Sequence, residues 1–444
     1  MKIRPGKLGH NLITQPRAAA FPSEFLAEMI KKKLFNYAEW PKTLAFFVLM
    51  ASGTFVVFSN LILKYWYISS AEMVFIYILP WFMLWPFLSY EVVLSKPHRI
   101  EILMMTLIII LGFFNAYMSD NMFQSFPTMR IFILSGIIPL WISMFVISED
   151  KYRILVFYIC CGWLLIIGVV EIINYLATDN DLVFIHHTIP LGTLVILLFI
   201  GPLYLLISAP KRLKLFNIFV LTLGLIVVVL ANKRGTLLSI GGMALAWIYY
   251  RYIRGSAYII ILLFASIFGI FAGWQYYKSL DKNIPYHNSI LHRLELYPFS
   301  FHIYQKHPFF GTGLRAFSHN IYLKDYQMHN KSLDSFAATV NKLQTFDNMV
   351  VTGLVEMGSI MTICYLSLIF YIINRYCRKT QPFSLNHQKA FILLLPLLGL
   401  AIHSMTYDSL IFPQINWLFH VQLGILAGYS TGEHEGPASP MQME

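Results

Sequence analysis

The chain has 444 residues, of which 57% are hydrophobic and only 12% are charged. An ordinary soluble domain is about one quarter charged, so this chain lacks the polar surface that water requires. Its formal net charge of +11 does not indicate nucleic-acid binding, because the lysines and arginines lie at the ends of apolar runs and form no single patch. Composition and charge therefore exclude a soluble protein and a nucleic-acid-binding one.

The first segment, residues 1–42, is basic and polar, and no small-residue cleavage site follows the first apolar run. We therefore predict that no signal peptide is removed and that this run stays as a membrane anchor. Between Pro22 and Trp40, apolar residues alternate with a lysine cluster. That pattern is typical of a basic helix on an anionic membrane surface, and equally of a disordered basic tail.

Apolar runs of membrane-spanning length then recur almost to the C-terminus. A helix needs about 20 residues to cross the ~30 Å hydrocarbon core. The runs predict an all-α, polytopic integral membrane protein with helices 1–9 in residues 43–274, helices 10–12 in residues 349–430 and a cytoplasmic tail at 431–444. The twelve predicted spans are 43–63, 73–95, 102–117, 131–147, 154–176, 189–207, 215–232, 236–252, 256–274, 350–373, 390–407 and 415–430.

The distribution of basic residues predicts the orientation. With a cytoplasmic N-terminus, 21 lysines and arginines fall on the cytoplasmic side and only four in the short loops opposite. This asymmetry is what the positive-inside rule requires, and one missed span would have scrambled it. The large interruption at residues 275–348, between helices 9 and 10, then lies outside the cytoplasm. It is long enough to contain helices of its own, and its aromatic residues and Gly-Thr-Gly turn indicate a functional segment.

Cationic side chains at the outer face are the first candidates for a binding site. Lys233 and Arg234 separate two apolar runs with almost no loop, where the positive-inside rule disfavours them. Arg293 and Arg315 lie in the 275–348 segment. A guanidinium donates two parallel hydrogen bonds to phosphate oxygens, so three arginines on one face could hold a diphosphate without a divalent metal. Interfacial or solvated arginines would give the same pattern.

Candidate general bases lie in the same region. The segment contains histidines, including His319 and His329, whose imidazoles titrate near neutrality, although most are expected to be ordinary loop residues. Asp347 precedes the tenth span and is either a catalytic carboxylate or a helix N-cap, and Glu356 lies inside that span, where a carboxylate indicates function.

We expect no metal ion, no cofactor and no disulfide framework. The histidine spacing matches no standard zinc site, and the four cysteines lie in or beside apolar runs. These cysteines are Cys160, Cys161, Cys364 and Cys377.

Three motifs in this order resemble the bacterial O-antigen ligases and polymerases. The first is Lys233-Arg234-Gly235 before a short outer turn, and the second runs from Arg293 through the His-Pro-Phe-Phe-Gly-Thr-Gly sequence at 307–313. The third is Asp347-Asn348 followed by the Leu-Val-Glu-Met-Gly sequence at 354–358. These motifs cover about 130 residues of the chain.

The resemblance implies a metal-independent, inverting glycosyltransferase of the bacterial inner membrane with a periplasmic active site. Arg234 and Arg293 match the family's diphosphate-binding positions. The donor would be an undecaprenyl-diphosphate-linked glycan and the acceptor a lipid-linked repeat unit or lipid A core, with membrane lipids, a flippase and a chain-length regulator as further partners. The family's ligases have a histidine where this chain has Asp347, which favours polymerisation of O-antigen or exopolysaccharide repeat units.

Two alternatives stay open. A ligase that transfers the finished glycan to lipid A core or to protein shares the same chemistry. A secondary transporter belongs to another class, and Glu171, Glu356 and Asp408 would be its coupling residues. Transporters usually show related halves and short loops, and this sequence shows neither.

Overall fold

The computed structural model describes residues 40–59, 98–177, 188–231, 233–250, 287–316, 322, 325–326, 346, 348–379, 385–405, 407–410 and 412–429. The chain divides into two units, Met1–Leu44 and Ala45–Glu444, and only residues 40–44 of the first unit are described.

Regular structure in these ranges is helical throughout, as predicted. The helices are α1 Trp40–Val57, α2 Arg99–Tyr117, α3 Met122–Phe132, α4 Ile138–Val146, α5 Asp150–Ala177, α6 Thr188–Leu198, α7 Ile200–Ser208, α8 Lys211–Ala231, α9 Arg234–Ile248, α10 His287–Lys306, α11 Met349–Glu356, α12 Gly358–Lys379, α13 Leu385–Ser404 and α14 Pro413–Tyr429, with a π-helical segment, Ile133–Ile137, between α3 and α4.

Six described helical stretches are long and apolar enough to cross a membrane. They are Arg99–Tyr117, Met122–Val146, Asp150–Ala177, Pro190–Ser208, Lys211–Ala231 and Gly358–Arg378. Shorter apolar helices occupy Lys42–Val57, Gly235–Ile248 and Phe391–Ser404. Each overlaps a predicted span, whereas the predicted spans 73–95 and 256–274 lie outside the described residues. The count of twelve therefore stays a prediction.

The outward faces of these helices are apolar. Leu103 is 69% exposed, Leu215 74% and Phe370 70%. Hydrocarbon accepts such side chains freely, and a helix satisfies its own backbone hydrogen bonds where no water is present. The surface is therefore suited to lipid.

Helix α14 forms the centre of the bundle and is buried along nearly its whole length, where it packs against α4, α12 and the π-helical segment. A Cβ at Gly424 would lie 1.7 Å from the Ser143 Oγ and 2.7 Å from the Leu140 carbonyl oxygen, so only glycine permits this approach of α4. The Asn416 side chain donates to the Ser135 Oγ at 2.9 Å. Small residues and hydrogen bonds between helices are the usual means of association in a membrane.

The predicted span 131–147 begins earlier than expected, at Met122. Asn121 caps the helix by accepting a hydrogen bond from the Gln124 backbone N–H at 3.3 Å. The span then passes through the π-helical segment into α4. The hydropathy pattern did not reveal this extension, because the first turns of the helix contain polar residues.

The predicted single span 350–373 is instead two helices that meet at Met357. Gly358 has a φ of +72°, the left-handed conformation in which helices commonly end. The run is apolar on both sides of this glycine, so hydropathy alone predicted one continuous helix. The break turns the end of α11, with Glu356, toward the 307–316 loop that follows α10.

We predict that Gly358→Ala destabilises the protein by about 2 kcal/mol or more, because the added Cβ would lie 2.3 Å from the Phe309 carbonyl oxygen at a φ of +72°. Thermal unfolding of the purified protein in detergent measures the effect. Gly162→Ala is the matched control, since a Cβ there meets no described atom within 4 Å, and it should be neutral or stabilising by up to about 1 kcal/mol. Equal melting temperatures for the two variants would contradict this account.

Candidate functional site

Helix α10 lies within the 275–348 segment, which therefore contains helical structure, as expected. An aromatic cluster packs it against α11. The cluster consists of Leu296, Phe299, Ile303, Tyr322, Tyr326, Phe346 and Val355. The Phe299 ring centroid is 5.4 Å from that of Tyr326 and 6.4 Å from that of Phe346. This apolar contact fixes α10, and the loop that follows it, on the end of the bundle.

Tyr322 links three parts of this region through its hydroxyl group. The hydroxyl donates to the Asp120 Oδ2 at 2.6 Å and lies 2.8 Å from the His307 Nε2. A phenol has one proton to donate, so the His307 Nε2 is the donor in the second contact. Burial, together with the hydrogen bond to Asp120, raises the pKa of Tyr322. The His307 imidazole is thus engaged in holding the loop.

A second charged group lies on the exposed side of α10. The Asp325 carboxylate accepts from Lys306 and lies 2.7 Å from the His302 Nε2. The hydrogen bond from Lys306, followed by that from His302, lowers the pKa of Asp325 to about 2. Lys306 and His302 are therefore already paired with an anion, so neither is the most suitable group for binding a phosphate.

The loop from His307 to Ala316 joins the break between α11 and α12 by backbone hydrogen bonds. Thr312 N–H donates to the Val355 carbonyl at 2.9 Å, and Gly313 N–H donates to the Glu356 carbonyl at 3.0 Å. In return, Ser359 N–H donates to the Pro308 carbonyl at 2.9 Å. The last carbonyls of a helix have no partner within it, and here the loop supplies one.

Two facing glycines make this close contact possible. A Cβ at Gly311 would lie 2.5 Å from the Gly358 nitrogen, and a Cβ at Gly358 would lie 2.5 Å from the Gly311 nitrogen. Both residues have positive φ, at +69° and +72°. Asn115 in α2 adds a side-chain bridge, because its Nδ2 donates to the Phe310 carbonyl and, at 2.8 Å, to the Glu356 carbonyl.

Arg315 ends this loop in a strained conformation. Its φ of +52° is positive, which among the described non-glycine residues is found only here. Left-handed backbone costs an L-residue roughly 1–2 kcal/mol, so something must hold it. The Arg315 backbone N–H donates to the Glu356 Oε2 at 3.1 Å. Glu356 thus holds the turn with its side chain as well as with its backbone carbonyl.

Arg315 and Glu356 line a cavity of about 70 Å³, here called the Arg315 cavity. Asp408, which is 5% exposed, also lines it, so one guanidinium and two carboxyl groups share this cavity. The walls are mainly apolar. The lining residues are Thr128, Ile131, Phe132, Ser135, Leu314, Arg315, Met349, Val350, Thr352, Gly353, Glu356, Met357, Thr362, Tyr365, Leu366, Asp408, Leu410 and Asn416.

The cavity has a defined depth. Val350, in the first turn of α11, is 45% exposed, whereas Glu356, in the last turn, is 2% exposed. With a rise of 1.5 Å per residue, these positions are about 9 Å apart along the helix. The cavity therefore leads from the surface to a polar floor inside the protein.

The predicted site residues are described to different extents. Lys233 is the half-buried N-cap of α9, and Arg234 is the first residue of that helix. Arg293 lies in the second turn of α10. The side chains of Arg234 and Arg293 are outside the described part of the chain, as are residues Asp347, His319 and His329 altogether. Of the predicted diphosphate-binding residues, Arg315 is the one seen to line the cavity.

One interpretation of Asp347 is corrected. The N-cap of α11 is Asn348, whose Oδ1 accepts from the Val350 N–H at 3.0 Å and from the Val351 N–H at 3.2 Å. Asp347 is not required as the cap.

Sequence reasoning also missed Asn115 and Tyr322. The isolated amide within the apolar run of α2 was the signal that could have identified Asn115.

The fold and the cavity define the class of the protein: a multi-pass helical membrane protein that carries arginine and carboxylate groups in a cavity at one end of its bundle. Residues 218–366, about a third of the chain, match the family model described as O-antigen ligase. The match confirms the predicted resemblance to the O-antigen ligase and polymerase family and points to a membrane glycosyltransferase. Comparison with curated proteins finds no match.

We predict that Tyr322→Phe destabilises the protein by about 1–3 kcal/mol, because Asp120 and His307 would lose a shared partner. Thermal unfolding of the purified protein measures it. The matched control is Tyr297→Phe, also in this region but 38% exposed, which should leave the melting temperature unchanged. Equal effects of the two substitutions would show that the Tyr322 bridge does not stabilise the loop.

Proposed function

We propose that this protein is a polymerase that joins undecaprenyl-diphosphate-linked oligosaccharide repeat units at the periplasmic face of the bacterial inner membrane. The family match over residues 218–366, which include Arg234, Arg293 and Arg315, carries the proposal of a glycosyltransferase, and Asp347 in place of the ligases' histidine favours a polymerase. The 307–316 loop and α11, which contribute part of the lining of the Arg315 cavity, lie within the same range. The product would be O-antigen or another surface polysaccharide.

The proposed reaction is a glycosyl transfer with inversion. An acceptor hydroxyl oxygen bonds to the anomeric carbon of the donor sugar, while the bond from that carbon to the diphosphate oxygen breaks. The leaving undecaprenyl diphosphate keeps the electron pair, and the hydroxyl proton passes to a base. Guanidinium groups that stabilise the developing charge on the diphosphate replace the divalent metal that such a step otherwise uses.

We assign the diphosphate to Arg234, Arg293, Arg315 and Lys233. Support comes from Arg315, whose strained backbone is held by a buried glutamate at the edge of a cavity. Backbone strain that the surroundings maintain is concentrated at functional sites in proteins. Lys233 and Arg234 begin α9, where the positive end of the helix dipole also favours an anion.

The base is proposed from Asp347, His319 and His329. Asp347 directly precedes the cap of α11 in the sequence, at the position where the family's ligases have histidine. A carboxylate that is withdrawn from water can act as a base near neutral pH. His319 and His329 belong to the same outer segment and are the alternatives.

A ligase that passes the glycan to lipid A core or to protein is the second candidate, favoured by the description of the matched family. The two functions share donor, membrane face and diphosphate-binding residues, and they differ in the acceptor. In the polymerase, a flippase would deliver the lipid-linked units and a chain-length regulator would limit the polymer.

Deleting the gene in its native bacterium and separating the surface glycan on a gel tests the proposal. We expect the polymer ladder to collapse to a single band of core plus one repeat unit. Complete loss of surface glycan with accumulation of long lipid-linked polymer would establish the ligase instead. An unchanged glycan profile would contradict both the polymerase and the ligase and would favour the transporter.

Complementation with variants then tests the residues. Arg234→Ala and Arg293→Ala should lower polymer output by about 10²-fold or more, the usual effect of removing one group that stabilises a developing anion. Asp347→Ala tests the base in the same way. The control is Arg130→Ala, an exposed arginine outside the proposed set, which should restore the full ladder. Full polymer from Arg293→Ala at normal protein levels would overturn the assignment.

Arg315 permits a separate test, because its backbone and side chain can be examined apart. Arg315→Gly removes the guanidinium but suits a φ of +52°, whereas Arg315→Ala removes it and keeps the strain. We expect both variants to lose the polymer ladder and the glycine variant to have the higher melting temperature. A ladder restored by Arg315→Gly would exclude Arg315 from the diphosphate-binding residues.

A further inference from the structure

The floor of the Arg315 cavity carries three buried polar atoms that have no hydrogen-bond partner among the described residues. They are the Glu356 Oε1, the Asn416 Oδ1 and the Thr362 Oγ1. Their residues are 2%, 2% and 4% exposed. A buried polar atom left without a partner costs about 1–3 kcal/mol, so three around one cavity indicate that something else binds there.

Neighbouring contacts hold two of these groups in place. The other carboxylate oxygen of Glu356 accepts from the Arg315 backbone N–H at 3.1 Å, and the Asn416 Nδ2 donates to the Ser135 Oγ at 2.9 Å. Each side chain therefore uses one polar atom to fix its orientation and leaves the second without a partner among the described residues. This arrangement resembles a built binding site more than a packing defect.

The chemistry of these atoms restricts the ligand. The Asn416 Oδ1 only accepts hydrogen bonds, and the Glu356 Oε1 and the Thr362 Oγ1 can accept them as well, so the ligand must carry at least one donor. A diphosphate ester does not suit these oxygens, because its own oxygens are acceptors as well. The Arg315 guanidinium already provides a cation in the cavity to balance the carboxyl groups, so the ligand does not need to carry a positive charge.

The size and walls restrict it further. A cavity of about 70 Å³ holds roughly five water-sized positions, enough for a substituent of a sugar and too small for several rings. Phe132 and Leu366 contribute apolar walls, and Tyr365 an aromatic one, against which the C–H groups of a sugar can pack. A hydroxymethyl or acetamido group combines such C–H groups with hydrogen-bond donors.

We propose that the Arg315 cavity is a binding site for a hydroxyl- or amide-bearing substituent of the acceptor sugar, with Glu356, Asn416 and Thr362 accepting its hydrogen bonds. This inference rests on the proposed function and adds to it the acceptor side of the reaction. The donor sugar is less suited, because it is joined directly to a diphosphate, whose acceptor oxygens would have to lie against the acceptor atoms and the two buried carboxyl groups of this cavity. The attacking end of an acceptor glycan is remote from its own diphosphate.

Thr362→Val tests the proposal with an isosteric change. Filling an unpartnered position with a methyl group is neutral or stabilising if the cavity is only a packing defect. If the cavity is a binding site, the Thr362→Val variant should bind the sugar about three- to tenfold more weakly, while its melting temperature stays equal or rises. Thr236→Val is the matched control, because the Thr236 Oγ1 is also buried without a partner among the described residues but does not line this cavity.

The measurement is saturation-transfer NMR on the full-length protein in detergent, with free glucose, galactose and N-acetylglucosamine as probes. We expect transfer to at least one of these sugars in the wild type and in Thr236→Val, and weaker transfer in Thr362→Val. Transfer to none of them, or transfer that Thr362→Val leaves unchanged, would overturn the site.

A competition experiment distinguishes the acceptor from the donor. UDP-N-acetylglucosamine carries a sugar joined to a diphosphate, and we expect it not to displace the free sugar. Displacement would overturn the acceptor assignment and make the cavity a donor site. The outcome is independent of the glycan ladder: sugar binding by the purified protein, together with a glycan profile that gene deletion leaves unchanged, would refute the proposed polymerase and keep a sugar-binding cavity.

Discussion

The contact between the 307–313 loop and the break at Gly358 is the constraint on which the outer end of the structure depends. A helix that stops inside a protein leaves its last carbonyl groups without partners, which is costly away from water. The loop supplies N–H groups to Val355 and Glu356, and two glycines with positive φ allow the backbones to approach closely enough for these bonds to form. Hydrogen bonding thus determines the path of both segments.

The position of Arg315 follows from this contact. Once Gly313 is bonded to the carbonyl oxygen of Glu356, the next residues must turn sharply, and Arg315 takes a left-handed conformation that its side chain does not favour. The same glutamate then bonds the Arg315 N–H with its carboxylate. The loop and the helix end together place a guanidinium and a carboxyl group beside the cavity, which Asp408 also lines.

Much of the membrane fold was predictable from the sequence, because a ~30 Å apolar layer requires long apolar runs and each described span coincides with one. The break at Gly358 was not, since hydropathy is the same on both sides of it. The importance of Glu356 was predictable from its cost in an apolar run. The hydrogen bond between Glu356 and Arg315 was not predictable, because it joins residues far apart in the chain through a backbone N–H, which carries no sequence signal. Asn416 and Thr362 were missed for a related reason. A polar side chain in a buried helix usually forms a hydrogen bond to another helix, and only the structure shows that each of these residues has a polar atom without a partner among the described residues.

The carboxyl groups near Arg315 affect which residues of the proposed enzyme would bind the diphosphate. A guanidinium beside apolar walls needs a nearby anion, or it would be expensive to bury. Glu356 and Asp408 line the same cavity and can meet that need without a substrate, in competition with a diphosphate. In the proposed reaction, Arg234 and Arg293 would then supply most of the charge that stabilises the leaving group. Arg315 is better suited to the boundary between the two substrates, with the diphosphate on one side of its guanidinium and the uncharged acceptor sugar on the other.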